Sequence, residues 1–351
     1  MRVEDILLEG KAGEAYLLMG NEAIARGGLE AGISVYTCYP GTPSSEILMA
    51  IAPIAKELGV YAEFSTNEIV ALEVAAGASY AGIPSLMAAK HVGINVASDA
   101  LFTLAYTGVV GGLVVVSADD PNAYSSQNEQ DNRHYALHAQ IPMLEPSNPQ
   151  EAKDMVVEGL KISKEYEVPI LLRTTTRINH SRGRVVLGEK QPPNLQGNFQ
   201  GDKPRFVCLP AYMRARHILV LERLAKLEEE ANRSPLNQRF GDNGKVGVIA
   251  SGVAAAYVLE AVEILGVEVD VLKLGFTHPL PKALVRGFLE EHEKVFVVEE
   301  LEPFLEEQVK ALAHEAGVGV EIHGKDLGLP RYGELNVGLV ERALAKALHL
   351  G

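Results

Sequence analysis

With 351 residues, 47% apolar and 22% charged, the chain is long enough for two domains with ordinary cores. A formal charge of −14 argues against the basic face that nucleic-acid binding requires, while leaving room for a local anion pocket. Two cysteines, Cys38 and Cys208, argue against a disulfide framework or a zinc site and exclude a four-cysteine iron–sulfur cluster within this chain. The start, Met1-Arg2-Val3-Glu4-Asp5, has no basic lead into an apolar stretch and does not read as a secretory signal. No apolar run reaches about 18 residues, so no membrane span is expected and the cytoplasm is the expected compartment.

In chain order, Ala15 to Met19 reads as a buried strand, and Gly20-Asn21 opens a helix to Gly32 with Asn21 as its cap. Ile33 to Tyr39 is a strand rich in β-branched and aromatic residues. It ends in Tyr39-Pro40-Gly41-Thr42-Pro43-Ser44-Ser45, where Thr42 and Pro43 suit an N-cap and first helical position. Val60 to Phe64 is a short strand, followed by a small-residue helix that starts at Ser65. Ile69, Leu72, Ala76 and Tyr80 fall near helical spacing, as a core-facing stripe, and Ser65-x-x-Glu68 matches a capping box. Pro84 to Lys90 is a strand that runs into Lys90-His91-Val92-Gly93-Ile94-Asn95, and Asp99 to Tyr106 continues the helix begun there. A basic pair before glycine at a strand end suits a carboxylate or phosphate. Gly112 to Ser117 is the next strand, followed by the polar loop Ser125-Ser126-Gln127-Asn128-Glu129-Gln130-Asp131-Asn132-Arg133-His134. Ile141 to Leu144, a helix from Asn148-Pro149 to about Glu165, and a strand from Val168 to Arg173 follow. Strands alternating with helices imply a parallel α/β sheet, whose ligands gather at the carboxyl ends of the strands.

Gln191 to Pro204 reads as a linker, and Ala211 to Arg233 as a helix whose charged stretch Lys226 to Glu230 is a solvated face. Asn243-Gly244 is a turn before a second α/β unit. Its strands are Lys245 to Ala250, Glu268 to Leu274, Lys294 to Glu299 and an edge at Val318 to Ile322. Helices are expected after Ser251-Gly252, after Pro279-Leu280-Pro281, from Pro303 to Ala316, and from Asn336 to Leu350. Glu299-Glu300-Leu301-Glu302 reads as an acid cluster at a helix start. The expected division is 1–185, a connector over 186–240, and 241–351.

Three motifs carry a resemblance: Tyr39-Pro40-Gly41-Thr42-Pro43-Ser44-Ser45, the Glu68 helix, and Ser125-Ser126-Gln127-Asn128-Glu129-Gln130-Asp131. Together they resemble the alpha subunit of the indolepyruvate ferredoxin oxidoreductases, 2-oxoacid oxidoreductases of the thiamine diphosphate superfamily. The resemblance implies a pyrimidine-binding domain followed by a smaller transketolase C-terminal-like domain. It implies that Glu68 bonds N1′ of the aminopyrimidine, a role compatible with capping, and that Thr42 meets the substrate. Pro40, Gly41, Lys90, His91, Gly93 and Asn95 would line the cofactor, with Lys90 or His91 orienting a substrate carboxylate. Ser126, Gln127, Asn128, Glu129 and Gln130 would form the pocket loop.

The chain departs from the full-length family pattern by ending at Gly351, before a diphosphate-binding domain and an iron–sulfur segment. Gly241-Asp242-Asn243-Gly244 is not the magnesium motif. The expectation is therefore that no metal is held here, and that magnesium, the diphosphate and the iron–sulfur clusters sit on partner chains. One partner would be gamma-like, in a two-fold hetero-oligomer that passes electrons to ferredoxin and acyl groups to coenzyme A. A non-oxidative thiamine diphosphate decarboxylase subunit and a non-catalytic scaffold remain the alternative readings.

Overall fold

A computed structural model describes residues 2–242 and 245–350; the expected turn at Asn243-Gly244 lies outside them. Among the described residues the strands are β1 Ala15–Met19, β2 Val35–Cys38, β3 Tyr61–Phe64, β4 Ser85–Lys90, β5 Leu113–Asp119, β6 Met143–Leu144 and β7 Ile170–Thr175. They continue with β8 Arg182–Val186, β9 Gln238–Phe240, β10 Val246–Ser251, β11 Asp270–Leu274, β12 Phe276–His278, β13 Lys294–Val298 and β14 Glu321–His323. The main sheet has the order β12-β6-β7-β5-β4-β2-β3 and is parallel except for β12, which runs antiparallel to β6. Its central strands are the continuous apolar runs of a sheet covered on both faces: every residue of β5 and β7 is buried.

The chain leaves β2 toward β3 on one side and β4 toward β5 on the other. The switch point therefore lies between the carboxyl ends of β2 and β4, and the Glu68–Tyr80 helix makes the crossing from β3 to β4. A second sheet, β14-β13-β10-β11-β9, is parallel except for its edge strand β9. Among the described residues no helix is long and apolar enough to cross a membrane.

Several local expectations are corrected. The β1 strand is not a buried member of the parallel sheet. It is half-exposed and pairs antiparallel with β8, a strand whose period is hidden by its arginines and glycine. Asn21 does not cap its helix, which begins at Gly20. Its buried amide instead donates to the Pro43 carbonyl and the Glu46 carboxylate, at 2.7 and 2.9 Å. The second unit gains β9, and it lends β12 to the first sheet across the expected boundary. Leu227, inside the expected solvated stretch, is fully buried. The segment 191–199 has no regular structure but is pinned, with Gln191 N donating to Leu29 O and Asn198 N to Ala81 O.

The helices Gly20–Ala31 and Pro149–Tyr166 are joined by a buried ion cluster. Glu30 accepts from Arg26 Nε at 2.8 Å, Lys153 Nζ at 2.6 Å and Gly188 N at 2.6 Å. Removing the acid strips buried Arg26 of its counter-charge and leaves Lys153 only the half-exposed Asp154 at 2.7 Å, which costs about 3–5 kcal/mol. Glu30→Ala is therefore expected to reduce stability by that amount in denaturant melts; a loss under about 1 kcal/mol would contradict the cluster's role.

Candidate active site

The strand ends of the main sheet bring together most of the residues nominated from sequence. Glu68 is the first residue of its helix, whose N-cap is Asn67: the Asn67 side chain accepts from Val70 N at 2.9 Å. The expected Ser65–Glu68 capping box is not formed. Ser65 Oγ donates to Glu63 at 2.9 Å, and Asn67 takes the capping position immediately before the acid. Glu68 is thereby released from the backbone, and among the described residues its carboxylate makes no hydrogen bond or ion pair. It lies against the Gly93 backbone, where a Cβ would stand 2.7 Å from Oε1 and 2.8 Å from Cγ. The stripe of its helix also shifts. Ala71, Leu72, Ala75 and Ala76 face the core and Ile69 turns outward. Strand hydroxyls fix that rotation, Thr37 Oγ1 donating to Ala71 O and Ser85 Oγ to Ala75 O.

Thr42 is not an N-cap. Gly41 to Ser44 form a turn closed by Ser44 N to Gly41 O at 2.8 Å, and the helix Ser45–Ile51 starts after it. Pro40 and Thr42 are exposed, and the Thr42 hydroxyl has no partner among the described residues. Gly41 carries the Lys90 stem: a Cβ there would meet Lys90 Cδ at 2.9 Å. Next to this turn Cys38 is buried, and burial pushes its thiol up to about 12, with the Glu68 and Glu46 charges adding.

The polar loop folds over the β4 end. Lys90 Nζ donates to Ser125 O at 3.1 Å, and His91 Nε2 lies 3.1 Å from Asn128 O. His91 is fully buried with Nδ1 unpartnered. Ser126 Oγ donates to Asp120 at 2.7 Å, and Gln130 Nε2 to Asn128 Oδ1 at 3.0 Å, while Gln127 is exposed. Glu129 turns away from this cluster. It accepts from Asn122 N and, at 2.8 Å, from Gly333 N in the second unit. Asn95 accepts from Tyr135 OH at 2.5 Å and borders a groove of about 750 Å³ with Gln130, Asn132 and Gln140. Glu68 and Thr42 do not line that groove. Among the described residues no group of three or more His, Cys, Asp or Glu is arranged to hold a metal ion.

Not predicted from sequence are the buried ion pairs that anchor the loop. Arg133 binds Asp131 at 2.8 and 2.5 Å, Glu299 at 2.6 Å and the Glu300 carbonyl at 2.8 Å. Burial pushes the Asp131 carboxyl up, and the guanidinium outweighs it, holding the group well below the usual range. Arg173 bridges Asp119 at 2.9 Å and Glu145 at 3.1 Å. The available signal was an arginine at the end of the apolar run Ile170-Leu171-Leu172-Arg173 and an aspartate just beyond another. Glu299 is the helix-start acid expected, accepting from Leu305 N and Glu306 N at 2.9 Å, but it also receives Arg133.

Residues 26–224 match the family described as "Pyruvate flavodoxin/ferredoxin oxidoreductase, thiamine diP-bdg". The chain belongs to this family. It is 52% identical over 357 aligned positions to indolepyruvate oxidoreductase subunit IorA of Pyrococcus abyssi, covering 100% of this chain and 55% of that protein. It is 47% identical over 348 positions to the subunit of that name from Methanothermobacter thermautotrophicus, covering 98% and 56%. The chain thus spans about half the length of the curated relatives it matches. Among solved structures it is similar to a 2-oxoglutarate:ferredoxin oxidoreductase from Magnetococcus marinus with 2-oxoglutarate, coenzyme A and succinyl-CoA bound. That match has a TM-score of 0.74 at 18% identity and covers 96% of this chain and 66% of the other. A split gene transketolase, an inactive beta4 tetramer, gives 0.58 at 16% identity, covering 94% and 97%. At these identities the likeness shows the fold: a parallel-sheet pyrimidine-binding domain followed by a smaller transketolase C-terminal-like domain.

Family membership supports thiamine diphosphate as cofactor, and the residues at these strand ends are compatible with its protonatable ring. The fit rests on a carboxylate with no protein partner, seated on a glycine whose Cβ would displace it. Gly93→Ala is expected to change stability by no more than about 1 kcal/mol in a denaturant melt, because the helical gain of alanine offsets moving a flexible side chain. The same substitution should weaken thiamine diphosphate binding by the assembled enzyme about tenfold or more, the worth of a hydrogen bond to a charged group. Unchanged cofactor affinity would show that Glu68 does not need that seat.

Burial pushes the Glu300 carboxyl from its ordinary 4.5 up to about 7. Across that window the folded chain keeps a proton that the unfolded chain has lost, so stability falls as pH rises from about 4.5 to about 7. Between about pH 5 and about pH 8 the wild-type denaturant midpoint should therefore drop relative to that of Glu300→Gln. Parallel curves for the two proteins would rule the assignment out.

Proposed function

We propose that this chain is the pyrimidine-binding part of a ferredoxin-dependent 2-oxo acid oxidoreductase, acting on an aryl 2-oxo acid such as indolepyruvate and yielding the acyl-coenzyme A. The observation that carries the reading is the unpaired Glu68 carboxylate at the switch point, in a chain of this family. The names of the relatives support the aryl substrate. The division we propose is 1–185 for pyrimidine binding, 186–240 as connector and 241–351 as the transketolase C-terminal-like unit.

Thiamine diphosphate, when bound, supplies the electron sink that lets a 2-oxo acid lose carbon dioxide. Glu68 holds a proton at the N1′ nitrogen, its carboxylate kept free because Asn67 does the capping. Thr42, exposed on its turn, donates to the substrate carboxylate, and Lys90 places a positive charge beside it. Gly41 and Pro40 shape the wall along which the Lys90 stem lies. His91, Gly93 and Asn95 line the first turns of the next helix toward the cofactor, and the loop from Ser126 to Asn128 with Gln130 closes over them, Glu129 turning instead to the second unit.

The reading places this part in a cytoplasmic, two-fold hetero-oligomer with a gamma-like subunit, in which magnesium, the cofactor's diphosphate and the iron–sulfur clusters are held by residues other than those described. The apolar residues Tyr39, Phe64, Ile69 and Val96, all exposed along these strand ends and helix starts, suit a polypeptide that completes the cleft.

Removing a positioned proton-sharing group costs about 10²–10⁴ in rate. With its partner chains, Glu68→Gln should lose 2-oxo acid-dependent, coenzyme A-dependent reduction of a one-electron acceptor by that factor, with subunit assembly intact on sizing. Wild-type turnover in the variant would refute the role of Glu68. Release of aldehyde without coenzyme A or an acceptor would overturn the oxidative reaction.

A further inference from the structure

At the β12 edge of the main sheet lies a pocket of about 430 Å³. Its walls are Leu221 and Leu224 of the Pro210–Arg233 helix, Leu280 just after β12, and Ala311 and Leu312 of the Phe304–Ala316 helix. Against these walls stands His278, the last residue of β12. It is 4% exposed, and neither ring nitrogen has a partner among the described residues. Burial lowers the imidazole to about 4, so at neutral pH it is uncharged, with a proton on one nitrogen and a free lone pair on the other. A buried polar group without a partner carries its full desolvation cost. An apolar ring would fill the same strand position without that cost, as Phe276 does earlier in β12.

The lining selects its guest by size and charge. The volume suits a small molecule, whereas a helix, about 10–12 Å across, would fill it with about a single turn. The charges in the lining offer nothing to an ion. Glu228 and Lys282 pair with each other at 3.2 Å, and Glu315 is exposed and disfavours an anion. An uncharged guest is therefore favoured, and leucine walls suit a ring. A rigid ring system also loses little conformational freedom on entry. One hydroxyl or N–H on that ring supplies the proton that the free nitrogen of His278 can accept. The imidazole is covered by the wall, and Leu221, 49% exposed, is the wall side chain with room to turn aside.

We propose that this pocket is a binding site for a small, uncharged aryl molecule carrying one hydroxyl or N–H, which donates to His278 while the ring lies against Leu221, Leu224 and Leu312. The site is separate from the strand ends around Glu68. In the main sheet β12 lies four strands from β4, about 19 Å away. Nothing in the proposal depends on the role given to Glu68.

The test is titration of the full chain with 2-naphthol, followed by fluorescence anisotropy; the chain has no tryptophan, and naphthol is excited beyond the tyrosine band. Saturable binding of one molecule per chain is expected. The methyl ether 2-methoxynaphthalene, with no proton to donate, should bind about tenfold more weakly, the worth of one hydrogen bond. His278→Phe leaves no buried nitrogen unsatisfied, so it should melt no lower than the wild type and bind the two probes with equal affinity. Ala311→Phe, at an exposed position, should narrow the pocket and weaken both probes about tenfold or more. If His278→Phe does not fold, the wild-type preference between the probes and the effect of Ala311→Phe decide the matter. The proposal is overturned if the wild type shows no saturable binding, or binds the two probes within about twofold of each other. It is also overturned if 2-naphthol binding is unchanged by the substitutions that fold, since the probe then sits elsewhere.

Discussion

The buried guanidinium of Arg133 ties the two sheets together at their carboxyl edges. A charge at that depth is tolerated only where acids and carbonyls surround it, and here they come from two places at once. Asp131 stands two residues away in the same loop, and Glu299 and the Glu300 carbonyl follow the end of β13. The loop after β5 therefore cannot settle without the second unit. Glu129 bonding Gly333 N, and Tyr124 and Arg177 meeting at Glu334, repeat the same connection at the surface. The second sheet has its own switch point, between the ends of β10 and β13, and there Glu299 and Glu300 receive the first unit. Protein side chains thus occupy the place where a parallel sheet would otherwise take a ligand. That suits a unit whose work is to order the loop of its neighbour.

Glu68 differs from the acids around it. Asp119 accepts from Arg173 and Asn132 N, and Asp120 from Ser125 N, Ser126 and Thr176. Glu68 alone among these acids is left without such a bond, although its helix start offers free N–H groups that an acid in the first turn could take. Asn67 removes that option by capping first, and Gly93 clears the volume the carboxylate needs. Two flanking residues on different helices are thus required to keep one acid out of ordinary structural duty.

Most of the regular elements were legible because parallel strands buried on both faces read as unbroken apolar runs, as in Leu113 to Val116, and because caps such as Asn148 before Pro149 sit where their chemistry demands. What failed to show were features made by distant partners. Asn21 matches a cap by type, yet tertiary contact with Pro43, Glu46 and Asn179 claims its side chain. Thr42 before Pro43 matches a helix start, yet the chain closes a turn there first. The strand β12 is three residues long and joins a sheet whose other strands lie about a hundred or more positions earlier, so no local period announces it. The candidate site was legible as strand-end motifs, one by one. The buried arginines that hold them in register were not, since a charge beside an apolar run carries no mark of the acid it will meet.

The His91–Thr107 helix connects these observations mechanically. Its first turns carry His91, Gly93 and Asn95, with Gly93 against the Glu68 side chain. Its last carbonyls are taken by three arginines from outside: Arg205 and Arg216 at Thr107 O, at 2.8 and 3.1 Å, and Arg223 at Ala105 O. Among the described residues only Arg205 of the three also meets a carboxylate, Glu167 at 3.2 Å, and burial lowers the Arg223 guanidinium to about 10. In a chain with a net charge of −14, three cations are thus directed at the negative end of one helix rather than at the many available acids. The arrangement fixes both ends of a rod. The loop after β5 holds His91 at one end, and the Pro210–Arg233 helix holds the other. The seat beneath Glu68 is therefore joined to that outer helix through hydrogen-bonded, regular structure, with no free loop between them.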